Sequence, residues 1–229
     1  MTSRRLTECV YCGSEESLTR DHVPPKGLFS LPLPTNLLTV PCCLSCKGEY
    51  ELEDEYFRLY VASRKESRGH DEAAQAGERA FRRLMRPGST GFRQAVVDSM
   101  VTLEPSTHAA APEGQLGVFM VDFSRLNRYA VRTIKALFAH HWGTRIPEVY
   151  AVVAYCEDMA SFTEPEMQAR LGRMLHLVRP AQRHASARDI LRYKFVTFLA
   201  DDEIASIWAL SYFHYTAFIG AVVPRRGVA

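Results

Sequence analysis

Two cysteine pairs, Cys9-Val10-Tyr11-Cys12 and Cys43-Leu44-Ser45-Cys46, enclose the segment Asp21-His22-Val23-Pro24-Pro25-Lys26. Because two residues separate the cysteines of each pair, both sulfurs of a pair can approach one tetrahedral ion. The spacing therefore predicts one Zn²⁺ held by all four thiolates. Four thiolates fill every coordination position, so we expect this ion to stabilise the fold and to take no part in chemistry.

The two other cysteines lie outside these pairs. Cys42 is adjacent to Cys43, so its side chain should point away from that of Cys43, and Cys156 follows an apolar run. Both are expected to be buried thiols. A thiol–disulfide redox protein using one CxxC pair is a further alternative, which is disfavoured because neither pair lies at the junction of a βαβ pattern.

The composition indicates a globular protein with a hydrophobic core. The chain has 229 residues, of which 47% are hydrophobic and 24% charged, and this is enough to bury a core without disulfides. The start, Met1-Thr2-Ser3-Arg4-Arg5, leads into a polar stretch and not into an apolar signal sequence. Because metal-binding thiolates suit a reducing compartment, we expect a cytoplasmic location.

A formal charge of +2 is too small to indicate a nucleic-acid partner by itself, so the distribution of charge matters more. Two sets of basic residues recur at helical spacing, and each predicts one basic face. The first set is Arg79, Arg82, Arg83 and Arg86, and the second is Arg125, Arg128, Arg132 and Lys135. Both sets are candidate contacts for a phosphate backbone. The alternative is that each is the ordinary polar face of an amphipathic helix.

The pattern of elements predicts an α+β protein. Residues 1–57 are expected to form the zinc module, 58–103 a helical segment, 104–116 a linker and 117–229 a mixed α+β C-terminal domain. One predicted helix opens after Cys46 and continues through 49–58. The others cover 71–86, 92–101, a segment from the cap Ser124 to Gly143, and 164–177. The predicted strands cover 118–123, 149–155 and 193–199.

The apolar stretch 205–223 approaches the length of a membrane span, and a tail anchor is one interpretation of it. Polar residues interrupt it near Phe213–Tyr215, which favours two antiparallel strands joined by a turn. We therefore expect no membrane association.

Between the cysteine pairs, the order of residues resembles the HNH, or ββα-metal, endonuclease family in its four-cysteine zinc form. The resemblance covers about residues 9–57. It is carried by the CxxC pairs, Asp21-His22 with Pro25 following, Asn36-Leu37-Leu38 and the second CxxC pair. It implies a zinc-stabilised ββα-metal module at the N-terminus and a metal-dependent endonuclease that hydrolyses phosphodiester bonds of DNA, although RNA is not excluded by the chemistry.

The resemblance also implies roles for individual residues. His22 corresponds to the general base that removes a proton from water, and Asp21 to a ligand of a catalytic Mg²⁺ or Mn²⁺. Asn36 corresponds to the residue that orients the histidine segment, and Lys26 is a candidate phosphate contact. Taken singly, His22 and Asp21 are better explained as a turn histidine and a cap, and Asn36 is compatible with a turn. Their arrangement together within the zinc-framed segment favours a present or ancestral nuclease site.

Lys47 departs from the family pattern, because the position after the last cysteine is usually an Asn or His that helps to bind the metal. An ammonium cannot be a ligand. Three alternatives follow: Glu51, one helical turn later, supplies the missing carboxylate; Lys47 stays in the site and binds the scissile phosphate; or the site is inactive and the chain is a zinc-built module that binds nucleic acid or protein.

Overall fold

The structure is a computed structural model that describes residues 6–86, 90–98, 100–103, 116–158, 164–200 and 203–225. Helices and antiparallel strands both occur along these residues, so the protein is of the mixed α+β type that the sequence predicts. Residues 104–115, which form nearly all of the predicted linker, lie outside the described residues.

A small ββα unit is formed around the four cysteines. Strand β1 (Leu18–His22) pairs antiparallel with β2 (Thr39–Cys43), with Leu18 opposite Cys43 and His22 opposite Thr39. Helix α1 (Leu44–Ser63) follows β2 without a loop. Cys43 is its N-cap, and its sulfur accepts a hydrogen bond from the Cys46 amide, 3.5 Å away. The first turn of α1 therefore contains both Cys46 and Lys47.

Two further helices and a hairpin complete the N-terminal half. Helix α2 (Asp71–Leu84) follows α1 after a short 3₁₀ turn and packs antiparallel to it. Helix α3 (Thr90–Asp98) comes next along the chain. Strand β3 (Met100–Leu103) pairs antiparallel with β4 (Leu116–Phe119). The helix predicted over 92–101 is thus wrong at its end, because the last residues of that segment pair as a strand.

The C-terminal half is a five-stranded antiparallel sheet with a helix on each face. Helix α4 (Phe123–Trp142) covers one face and α5 (Pro165–Val178) covers part of the other. The strand order is β5-β9-β8-β7-β6. The strands are β5 (Tyr150–Cys156), β6 (His184–Ala185), β7 (Leu191–Ala200), β8 (Glu203–Tyr212) and β9 (Thr216–Pro224).

The ends of α4 show one correct and one wrong prediction. Gly143 follows the helix with φ +66° and ψ +20°, the left-handed conformation expected for a terminating glycine. The N-cap, however, is Asp122 and not Ser124. The Asp122 carboxylate accepts hydrogen bonds from the amides of Ser124 and Arg125 at 3.0 and 3.2 Å. The helix therefore begins one residue before the predicted cap.

Strands β8 and β9 confirm the predicted antiparallel pair within 205–223. They meet at Phe213–Tyr215, where Phe213 and His214 take positive φ values of 50° and 71°. None of the helices in the described ranges is long and apolar enough to cross a membrane.

One hydrophobic core joins the zinc unit to the sheet. Phe57 of α1 stacks on Tyr129 of α4 with ring centroids 3.9 Å apart, and both rings contact Tyr212 of β8. All three side chains are fully buried. Helix α1 continues to Ser63, so the boundary predicted at residue 57 falls inside a helix whose buried face belongs to the common core.

The contact between α1 and α2 depends on a glycine. A Cβ atom built on Gly77 would lie 2.1 Å from the Cβ of Ala62, so an added methyl group forces the helices apart. We expect Gly77→Ala to lower the free energy of unfolding by about 1–3 kcal/mol because overpacking outweighs the gain in helix propensity. Gly172→Ala in α5 is the matched control, because no atom lies within 4 Å of its added Cβ. It should raise the free energy of unfolding by up to about 1 kcal/mol. Urea denaturation measures both, and equal effects would contradict the assigned contact.

Candidate functional site

The ββα unit brings the four predicted zinc ligands together. The sulfur atoms of Cys9, Cys12, Cys43 and Cys46 all lie within 4.8 Å of one another, and the Cys12 and Cys43 sulfurs are 3.6 Å apart. Zn–S bonds of about 2.3 Å place tetrahedral sulfurs about 3.8 Å apart. The four cysteines are therefore close enough to hold one zinc ion, and such a site is closed and structural.

Local backbone structure explains why the sulfurs meet. Cys9 and Cys12 lie in a tight turn, in which the Gly13 amide donates to the Cys9 carbonyl at 2.8 Å and the Cys9 amide donates to Ser14 at 2.8 Å. Gly13 has φ +81°, which favours glycine at this position. Cys43 ends β2 and Cys46 lies in the first turn of α1, so the strand-to-helix junction presents the second pair.

Cys42 and Cys156 are both buried, as the sequence predicts. The Cys42 sulfur points away from the cluster and donates to the Cys43 carbonyl, 3.3 Å away. Burial, with a smaller contribution from the negative charge of Asp21, raises the pKa of Cys42 to about 12. Cys42 therefore remains a protonated thiol near neutral pH.

Asp21 lies on the buried face of β1 and is bound by an arginine. The Arg132 guanidinium of α4 donates to its carboxylate at 2.7–3.1 Å, and the Tyr11 hydroxyl donates to Oδ2 at 2.5 Å. Arg132 also donates to Asp54 of α1 at 2.5 Å. Asp21 is 8% exposed and Arg132 5% exposed. We call Tyr11, Asp21, Asp54 and Arg132 the arginine cluster.

The charges of the arginine cluster are set by burial and by one another. Although burial opposes ionisation of Arg132, Asp54 and Asp21 raise its pKa above the ordinary value. Burial raises the pKa of Asp54 to about 6, against the lowering effect of Arg132. Burial, together with the charge of Asp21, raises the pKa of Tyr11 well above its ordinary value, so Tyr11 stays a hydrogen-bond donor. The guanidinium thus stays charged and requires its carboxylates.

The residues expected to bind a catalytic Mg²⁺ or Mn²⁺ do not fit that ion as they are arranged. Both oxygens of Asp21 accept hydrogen bonds from Arg132. Glu51 is exposed and lies 3.5 Å from the Arg83 guanidinium. Lys47 brings a positive charge to the same helix. In the described parts of the chain, the four cysteines are the only group of three or more candidate metal ligands.

His22 is the last residue of β1 and is half-buried. Because successive side chains of a strand point to opposite faces, His22 faces away from the arginine cluster that holds Asp21. Burial lowers the pKa of His22 below 6.5, and the nearby ammonium of Lys26 lowers it further, followed by Lys47 and Arg20; Asp21 opposes them. His22 is therefore neutral near pH 7 and lies among three cations.

Asn36 is exposed and lines a cavity of about 510 Å³ between the β1–β2 loop and the end of α4. Within the described residues its side chain makes no hydrogen bond to the His22 segment, so the orienting role stays a prediction. The same cavity contains three histidines that the sequence did not single out. They are His140, His141 and His184.

These histidines come together only through the fold. The ring of His141 lies 5.2 Å from that of His140 and 5.0 Å from that of His184, centroid to centroid. Burial, together with the other two histidines, lowers the pKa of His141 to about 4, and its Nε2 lies 2.9 Å from the Tyr193 hydroxyl. The end of α4 and strand β6 are far apart in sequence, so no spacing motif could reveal the cluster.

The side chains of the second basic set contact α1 or the Cys9–Cys12 turn and do not form an open face. Arg128 lies 3.3 Å from Glu53, and Arg125 lies over the Tyr56 ring at 4.6 Å. Lys135 is 3.5 Å from the Tyr11 carbonyl. The prediction that Arg132 contacts nucleic acid is wrong, because its side chain is enclosed in the arginine cluster.

The first basic set is similarly engaged, with one exception. Arg79 donates to the carbonyls of Gly27 and Phe29 at 3.2 and 2.7 Å, which holds the segment after Lys26 against α2. Arg82 pairs with Glu78 at 3.4 Å, and Arg83 pairs with Glu51 and Glu55. In the described structure Arg86 makes no ion pair and is exposed.

Comparison with family models, with curated proteins and with solved structures finds no match to this chain.

We expect the purified protein to contain one zinc ion per chain and Cys12→Ser to lose it, together with ordered structure in the ββα unit. The matched control is Cys42→Ser, whose hydroxyl can still donate to the Cys43 carbonyl. It should retain the ion. Metal content by plasma mass spectrometry and near-ultraviolet circular dichroism measure the two effects. Zinc loss in both variants would contradict the ligand assignment.

Arg132→Met should lower the free energy of unfolding by about 3–5 kcal/mol, because it leaves two carboxylates buried without a cation. Arg128→Met, which removes an exposed ion pair from the same helix, should cost at most about 1 kcal/mol. Burial already raises the pKa of Asp54 to about 6 against the lowering effect of Arg132, so without the guanidinium this pKa should rise further.

The Arg132→Met protein should therefore regain part of its stability as the pH is lowered from about 8 to about 5, where the Asp54 carboxyl group takes up a proton. Urea denaturation across this pH range measures the effect. A constant deficit at every pH would argue that Arg132 acts by packing alone.

Proposed function

We propose that this protein is an HNH-type endonuclease that hydrolyses phosphodiester bonds of nucleic acid, with DNA as the expected substrate and His22 as the general base. The observation that carries the proposal is a neutral imidazole at the end of β1, among Arg20, Lys26 and Lys47, on a unit framed by four cysteines. A base of this kind needs to be unprotonated, and a phosphodiester needs cations around it.

The reaction uses these groups as follows. The imidazole of His22 accepts a proton from a water molecule as the water oxygen attacks phosphorus. The bond between phosphorus and the leaving oxygen breaks, and the leaving oxygen takes a proton from solvent. The products are a phosphomonoester and a free hydroxyl group. Neither step uses the 2′-hydroxyl, so the sugar does not decide the chemistry.

Lysine side chains supply positive charge where the family pattern has a metal ligand. Lys47 in the first turn of α1 and Lys26 after β1 are both close enough to His22 for their charges to lower its pKa. An ammonium about 4 Å from a phosphate oxygen contributes about 4 kcal/mol of attraction at an effective dielectric of 20. Because negative charge builds up on the phosphate oxygens during attack, such cations favour the transition state. Of the three alternatives for Lys47, this arrangement favours phosphate binding.

A second candidate function is a zinc-stabilised module that binds nucleic acid or protein without cleaving anything. The arginine cluster favours it, because Asp21 is committed to Arg132 and cannot at the same time serve as a metal ligand. Both candidates share the zinc site and the cations around His22, so only cleavage distinguishes them.

Supercoiled plasmid is the most sensitive substrate for this test, because one cut converts it to the relaxed form. We expect the zinc-loaded protein to nick it and His22→Ala to lower the rate by a factor of about 100 or more, the contribution typical of a general base. His176→Ala changes an exposed histidine on α5 and should leave the rate unchanged. Nicking that survives His22→Ala would overturn the role of His22, and no cleavage of DNA or RNA would favour the binding module.

The pH profile supplies an independent check on the base. Because burial and the nearby lysines lower the pKa of His22, the acid limb of the profile should have its midpoint below 6.5. The rate should be lost as the pH falls through this midpoint, where the imidazole takes up a proton. Lys47→Ala and Lys26→Ala should each move the midpoint upward, whereas Lys65→Ala on the exposed turn after α1 should not.

Lys47→Asn separates the two active alternatives. If the ammonium binds the phosphate, the variant loses activity both with and without Mg²⁺. If Lys47 only displaces a ligand, Lys47→Asn gains Mg²⁺-dependent activity and Glu51→Ala then removes it. Mg²⁺ is withdrawn by gel filtration and not by a chelator, because a chelator would also remove the structural zinc.

A further inference from the structure

A second cavity lies on the opposite side of the sheet from the zinc unit. It has a volume of about 1000 Å³ and is lined by residues of α5 and of the outer face of the sheet, the face that α4 does not cover. Leu171, Val178 and Ile219 are buried at its inner wall. This volume lies at the upper end of the range for sites that bind small molecules.

Small residues create this space from both sides. Gly172 faces the cavity from α5, and a Cβ atom built on it meets no atom within 4 Å. Ala209 and Ser211 of β8 and Ala217 of β9 face it from the sheet. Ser211 lies opposite Ala217, and Ala209 lies opposite Ile219, so the short side chains are neighbours. The short side chains leave space between α5 and this part of the sheet, beside the place where Leu171 and Val178 of α5 pack with Ile219 of β9.

One end of the cavity is basic. Arg192 and Lys194 line it from β7, and Arg179 and Arg183 line it from the segment after α5. Arg192 lies opposite Ser211 and Lys194 opposite Ala209, so both extend from the strand next to the small residues. We call these four residues the basic rim.

The four cations of the basic rim are only partly neutralised, because Asp189 is the one carboxylate of the described residues that forms an ion pair with them. In the described structure Arg179 and Arg183 make no ion pair with a carboxylate. Arg192 pairs with Asp189 through one terminal nitrogen, whereas its Nε is buried and has no hydrogen-bond partner. Glu157, the acidic residue of the lining, follows β5, which is three strand positions away from β7. At about 4.8 Å per strand this separates it from the basic rim by about 14 Å.

We infer that this cavity binds a small amphipathic anion, with its apolar body between α5 and the sheet and its carboxylate or phosphate headgroup at the basic rim. The apolar walls and the excess of cations over carboxylates at one end favour this class of ligand over neutral or cationic ones. The inference does not depend on the proposed nuclease activity, because the cavity and His22 lie on opposite faces of the sheet.

Dodecanoate is a suitable probe below the concentration at which it forms micelles. Isothermal titration calorimetry should give one site per chain with a dissociation constant in the micromolar range. Dodecyltrimethylammonium, which has the same chain and the opposite charge, should bind at least about tenfold more weakly. Dodecyl phosphate titrated in parallel shows which headgroup the rim prefers.

Two variants locate the binding. Gly172→Leu fills the cavity and should abolish binding, while its melting temperature stays equal to or above that of the wild type. Arg179→Gln combined with Arg183→Gln should weaken binding of dodecanoate at least about tenfold and leave binding of dodecanol unchanged. Arg170→Gln changes an exposed arginine on α5 outside the cavity and should have no effect.

Three results would overturn the inference. Equal binding of the cationic probe would show that the basic rim does not select the headgroup. Binding that survives Gly172→Leu would place the ligand elsewhere. A stable dimer in light scattering that Gly172→Leu dissociates would show that a second copy of the chain covers this face.

Discussion

The guanidinium of Arg132 connects the parts of this protein that are farthest apart in sequence. It lies on α4, the helix that covers the sheet, and binds one carboxylate on β1 and another on α1. A buried charge is tolerated only when its partners are in place. The ββα unit can therefore pack on α4 in one position, the one in which both carboxylates reach the guanidinium. Zinc can fix the shape of the unit, and Arg132 fixes where that unit lies.

The same interaction constrains the chemistry. Strand β1 turns Asp21 towards α4 and His22 towards the opposite face, so adjacent residues enter different environments. Asp21 is desolvated and bound by an arginine, whereas His22 is half-buried among cations. The Asp21 carboxylate holds the ββα unit against α4 through Arg132, so it is poorly available to a metal ion. This is why the proposed reaction relies on the imidazole and the lysines.

Local chemistry was predictable from the sequence and tertiary pairing was not. The cysteine spacing, Gly143 after α4 and the turn at Phe213–Tyr215 each depend on a few neighbouring residues, and each is found where predicted. The bond between Asp21 and Arg132 and the contact among His140, His141 and His184 join elements that only the fold brings together. The helical spacing of the basic residues correctly predicted that they share one side of α4. It could not show that α1 packs against that side.

The distribution of charge follows from this packing. Helix α1 places Glu51, Glu53, Asp54 and Glu55 opposite arginines of α2 and α4, so much of the basic charge is neutralised within the N-terminal half and its contact with α4. Cations without a carboxylate partner are then informative, because the net charge of +2 leaves little excess. Among the described residues, positive charge exceeds the neighbouring carboxylates at two separate places, around His22 and at the basic rim beneath α5. A row of basic residues in the sequence therefore indicates a binding surface only where the neighbouring helices and strands do not supply acidic partners for it.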